Sequence, residues 1–98
     1  MSAATSEAYD TAPRERPVPA PVHHFTVTAY LEPSVLSRVV ELFVLRDLIP
    51  HDVRCRATDA DELRIDVAVQ GLEPDKAEHV AARIRQFPTV AGVLLSKN

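Results

Sequence analysis

The stretch Phe25-Thr26-Val27-Thr28-Ala29-Tyr30-Leu31-Glu32-Pro33-Ser34-Val35-Leu36-Ser37-Arg38-Val39-Val40-Glu41-Leu42-Phe43 changes its period in the middle. Up to Leu31, the apolar Phe25, Val27, Ala29 and Leu31 alternate with His24, Thr26, Thr28 and Tyr30, the spacing of a strand with one buried face. Beyond it Val35, Leu36, Val39, Val40 and Phe43 recur at helical spacing, so a helix buries that stripe. Pro33 divides the two elements, because proline cannot donate to a strand ladder but fits the first turn of a helix. The same spelling returns at Leu72-Glu73-Pro74, 41 residues after Leu31-Glu32-Pro33.

Between the two junctions, Asp47 to Asp52 with Pro50 inside cannot continue the helix. Val53, Cys55 and Ala57 alternate with Arg54 and Arg56; Thr58-Asp59-Ala60-Asp61-Glu62 supplies turn chemistry; Leu63, Ile65, Val67 and Val69 then alternate with Arg64, Asp66, Ala68 and Gln70. This is a β-hairpin. Gly71 ends its second strand, and from Pro74 a second helix buries Ala77, Val80, Ala81 and Ile84, with Phe87 at its end and Pro88 as terminator. Val90 to Ser96 reads as a last strand. The order β-α-β-β-α-β, a two-fold repeat, predicts an α+β ferredoxin-like fold: a four-stranded antiparallel sheet with two helices on one face and the other face open.

Outside that repeat, residues 1–22 hold Pro13, Pro17, Pro19 and Pro21 and no periodic apolar positions, which predicts a disordered leader followed by one domain over 23–98. Arg14 and Arg16 against Glu7, Asp10 and Glu15 make it no basic arm. With 98 residues, a net charge of −3 and 5% aromatics, the chain has room for one domain and no global electrostatic footprint for nucleic acid or an anionic membrane. No apolar run reaches the length of a membrane span and the N-terminus lacks signal-peptide character, so the expected compartment is the cytoplasm.

The open face is expected to carry His24, Thr26, Thr28, Tyr30, Arg54, Arg56, Arg64, Asp66, Ala68 and Gln70. Tyr30 alone offers an aromatic there, too little for the base stacking of RNA-binding domains with this topology. The arginines are either a solvated face or a partner surface. His23 and His24 point to opposite faces and cannot share a metal ion from a regular strand. Cys55 falls in the inward set with Val53 and Ala57 and is expected to be a buried small hydrophobe. Neither a Cys-x-x-Cys loop nor a glycine-rich anion cradle follows the first strand. No acid, base and nucleophile are brought together, so no enzyme, metal or cofactor is expected.

Pro33-Ser34-Val35-Leu36-Ser37-Arg38-Val39 with Leu42-Phe43 and Arg46 resembles the ACT domain, the small-molecule regulatory module of amino-acid metabolism, most closely in the form found in acetolactate synthase small subunits. The resemblance covers about residues 23–98. It implies an effector site at Glu32, Ser34, Val35, Leu36 and Ile49, with Ser34 able to cap the helix. The sequence departs from the family where its ligand-side glycine is Ser34, its helix-ending glycine is Asp47 and its ligand-facing asparagine is Ile49. These changes imply a weakened or lost site for a branched-chain amino acid.

The implied function is a non-catalytic module that modulates a partner enzyme such as acetolactate synthase; the alternative is a free-standing amino-acid sensor acting through its dimer interface. A homodimer is expected, because sheet edges invite pairing. Val44 and Leu45 lie off the buried stripe of the first helix and, with Arg54, Arg56 and Arg64, are the candidate interface residues.

Overall fold

A computed structural model describes residues 21–97. The elements run β1 (Val22–Tyr30), α1 (Ser34–Leu45), β2 (Asp52–Ala57), β3 (Glu62–Gln70), α2 (Pro74–Arg85) and β4 (Val90–Lys97). The four strands form one antiparallel sheet in the order β2-β3-β1-β4, the ferredoxin-like arrangement. The domain starts slightly earlier than the sequence reading placed it: Val22 opens β1, and the Gly71 N–H donates to the Pro21 carbonyl at 2.9 Å. Of the leader expected over residues 1–22, residues 1–20 lie outside the described residues.

Alternation decides which side chains of β1 go inward. His23, Phe25, Val27 and Ala29 are buried, while His24, Thr26 and Thr28 are half-buried on the other face. Across the core, Phe25 meets Phe43 of α1 edge to face, with ring centroids 5.2 Å apart. Val35, Val39, Leu42 and Phe43 are the buried positions of α1, so Leu42 joins a stripe in which the expected Leu36 and Val40 are only half-buried. In α2, Ala77, Val80, Ala81 and Ile84 are all buried, as their spacing predicts.

Two aspartates take backbone conformations that favour glycine. Asp47 has φ 60°, and there the N–H of Leu48 donates to Phe43 O at 2.9 Å and that of Asp47 to Val44 O at 3.0 Å. This is a Schellman termination with aspartate at the left-handed position. It explains how α1 stops without the family's glycine. Asp61, φ 59°, closes the β2–β3 hairpin behind a turn in which the Ala60 N–H donates to Thr58 Oγ1 at 3.2 Å.

The burial expected of Cys55 is not observed. Cys55 does sit on the helix side of the sheet, opposite Ile65, but it is exposed, as is every residue of β2. Periodicity assigns a face and leaves open whether a helix covers it. β2 lies at the sheet edge with short side chains at Val53, Cys55 and Ala57, and α1 does not extend over them.

Candidate functional site

The β1–α1 junction borders a shallow, mainly apolar groove of about 370 Å³ formed by Leu31, Glu32, Pro33 and Leu36 against Cys55 and Leu63. It exists because the inner face of β2 is uncovered: α1 forms one wall, and Cys55 with Leu63 forms the floor. Glu32 is its charged group. An apolar hollow with one carboxylate suits a small ligand that carries an apolar part and a cation.

The residues predicted to bind an effector divide. Glu32 and Leu36 line the groove. Ser34 stands exposed beside them, but it does not cap α1: Pro33 occupies the N-cap position, no side chain caps the helix, and the Ser34 carbonyl accepts from the Ser37 hydroxyl at 3.1 Å. The N-cap proline follows from the sequence, since its fixed φ is already helical, and it makes Ser34 the first residue of the helix rather than its cap. Val35 points into the core, fully buried, with its N–H given to Glu32 O at 3.2 Å. Ile49 is 86% exposed in the α1–β2 loop, one helix length from Glu32, about 18 Å by the helical rise. One copy of the chain therefore does not bring Ile49 to the groove.

The predicted interface residues are all at the surface. Val44 and Leu45 are 60% and 73% exposed on the outer side of α1. On the open face Arg54 pairs with Asp52 at 3.4 Å and Arg64 approaches Asp66 at 3.9 Å, whereas Arg56 lies opposite Arg64 in the ladder, like charge against like. Both ion pairs are solvent-exposed and contribute little to stability. Leu94, strongly exposed and opposite Thr26 on the same face, was not singled out by the sequence, where it reads as one more apolar residue of the last strand.

His23 is the buried polar exception, 3% exposed, with Nδ1 lacking a partner. Burial, with Lys97 adding to it, lowers its pKa below the ordinary imidazole value, partly opposed by Glu78. Among the described residues no cluster of histidine, cysteine and carboxylate side chains fits a metal ion, and no helix is long and apolar enough to cross a membrane.

Two helices on one face of a β2-β3-β1-β4 sheet define the class of ferredoxin-like α+β domains. The profile of the ACT-like domain family matches residues 19–98, and the chain belongs to that family. The ACT domain of a GTP pyrophosphokinase from Chlorobium tepidum superposes with a TM-score of 0.67 at 10% identity, covering 81% of this chain and 100% of that one. The C-terminal domain of the MgtC protein from Mycobacterium tuberculosis gives 0.66 at 18% identity, covering 81% and 88%. An uncharacterized protein from Thermotoga maritima gives 0.56 at 12% identity, covering 79% and 92%. Comparison with curated proteins found no match. At these identities the structures share the fold, and family membership points to a regulatory module.

Proposed function

We propose that this chain is a regulatory module that self-associates through β2 and acts on a partner enzyme of branched-chain amino-acid biosynthesis, of the acetolactate synthase type. The observation that carries the self-association is the uncovered inner face of β2 beside the junction groove. An edge strand leaves main-chain donors and acceptors unpaired, and a second β2 running antiparallel satisfies them on both copies at once. With Val53 on the two-fold axis, Asp52 of each copy faces Arg54 of the other. In that register Ile49 of the second copy stands opposite Ala57, which pairs with Leu63 at the groove. The dimer thereby supplies the wall that a single copy lacks.

The choice of enzyme rests on the Leu36-Ser37-Arg38-Val39 junction and its resemblance to acetolactate synthase small subunits. Ile49 offers an effector no polar side chain, so free valine, leucine and isoleucine bind weakly, at about millimolar concentration. Glu32 supplies the carboxylate for an ammonium group. That carboxylate in an apolar groove favours the second reading, a sensor in which the dimer itself responds to an amino acid.

Sedimentation of the full chain, alone and with the acetolactate synthase catalytic subunit of the same organism, tests the first reading; calorimetry with the three amino acids separates the second. A dimer that binds the catalytic subunit and takes up amino acids weakly supports regulation of that enzyme. A dimer indifferent to the subunit that binds one of them at low micromolar concentration, and loses it in Glu32→Gln, supports the sensor. A strict monomer at micromolar concentration overturns both.

A further inference from the structure

At the opposite end of the sheet from the junction groove, the loop after α1 and the first two turns of α2 border a second hollow of about 520 Å³. Its floor is Leu72 and Val80, both buried, together with half-buried Leu48. Its rim is charged: Arg46 comes from the end of α1, and Asp75, Lys76 and His79 from α2. The volume lies in the range of small-molecule sites, and an apolar floor under a few convergent charges is their usual construction.

The charges on this rim are not spent on each other. Among the described residues the ion pairs join Arg54 to Asp52 and Arg64 to Asp66; Arg46 and Lys76 belong to neither. Arg46 is half-buried and held in place by its Nη1, which donates to Leu42 O at 3.3 Å. A guanidinium carries five N–H donors, so the rest remain for a ligand and match the two oxygens of a carboxylate. Asp75 on the same rim repels a second negative charge.

We infer that this hollow is a binding site for a small aliphatic monocarboxylate, its carboxylate on Arg46 and Lys76 and its chain on Leu48, Leu72 and Val80. The site is independent of the junction groove and does not require a dimer. Two elements contribute to both its polar and its apolar half: the loop after α1 presents Leu48 beside Arg46, and α2 presents Lys76 and Val80 one turn apart on the same side. A dianion such as phosphate is excluded by Asp75 and has no use for the floor, and an uncharged alcohol of the same length leaves Arg46 unanswered.

Titration of the isotopically labelled full chain with hexanoate, followed by amide chemical shifts, tests this. Saturable shifts centred on Leu48, Leu72, Lys76 and Val80, with a dissociation constant of about 1 mM, are expected for a ligand of this size. Arg46→Gln weakens binding by about tenfold or more, because it removes a charge-assisted bond. Lys76→Gln, on the exposed side of α2, repeats the test should Arg46→Gln disturb the fold. 1-Hexanol and inorganic phosphate produce no saturable shifts. The site is overturned if hexanol matches hexanoate, if neither substitution weakens binding, or if the shifts fall at Leu31 to Leu36 instead.

Discussion

At the first junction Leu31-Glu32-Pro33 leads into α1 beside a mainly apolar groove; at the second, Leu72-Glu73-Pro74 leads into α2 beside a hollow lined by His23, Glu78, Ser96 and Lys97. The two hollows occupy corresponding places in the repeat: each lies between a helix start, an edge strand and the strand next to it. The edges are treated differently. α2 lies along β4, burying Val93 and half-burying Val90 and Leu95, whereas β2 is exposed from end to end. An internal repeat thus does not impose equal burial. Short side chains on β2 leave its inner face uncovered beside the groove, and longer ones on β4 pack against α2.

The largest test of this contrast exchanges a charge into each edge strand. Val93→Asp on β4 buries an unpaired carboxylate and lowers stability by about 3 kcal/mol or more, read by thermal or denaturant unfolding. Cys55→Asp on β2 changes protomer stability by no more than about 0.5 kcal/mol, because the position faces solvent. Equal losses would mean that β2 is covered after all. Next in size is association: Val53→Asp places two like charges opposite each other on the axis of the proposed β2 pair and shifts sedimentation from dimer to monomer, while the isolated protomer keeps its circular dichroism spectrum.

A pH series sharpens the other side of the comparison. Folding keeps His23 neutral, so the unfolded chain binds the additional proton in acid. Stability is complete above the ordinary imidazole pKa of 6.5 and falls as pH drops below it toward the depressed folded value. His23→Leu flattens this dependence below pH 6.5 while keeping a side chain of similar size at the buried position, measured by denaturant midpoints at each pH. The smallest effect belongs to the helix ends. Asp47→Gly relieves a left-handed aspartate at the C-terminus of α1 and raises stability by about 0.5–1 kcal/mol. The C-cap of α2, Gln86, is right-handed and offers no such gain, so Gln86→Gly is neutral or destabilising.

The fold was legible because every element carried its period openly, from Phe25-x-Val27-x-Ala29 to Ala77, Val80, Ala81 and Ile84, and because proline marked both helix starts. Coverage was not legible. Cys55 and Ile65 alternate in the same phase, and only the placement of α1 separates an exposed thiol from a buried isoleucine. Glu32 and Leu36 could be located from their adjacency to Pro33, but Ile49 could not be placed relative to them, since their distance is a property of the folded sheet. The α1–α2 hollow left no local trace: Arg46, Leu72 and Lys76 are scattered along the chain, and no short motif links them.

The uncovered thiol also makes this chain easy to observe. Cys55 is its single cysteine and stands on the strand proposed to meet a second copy. A fluorophore or spin label placed there needs no background mutations. Its signal would report directly on whatever approaches β2: line broadening or dipolar coupling between labels for a second copy, and altered polarity without coupling for a different protein.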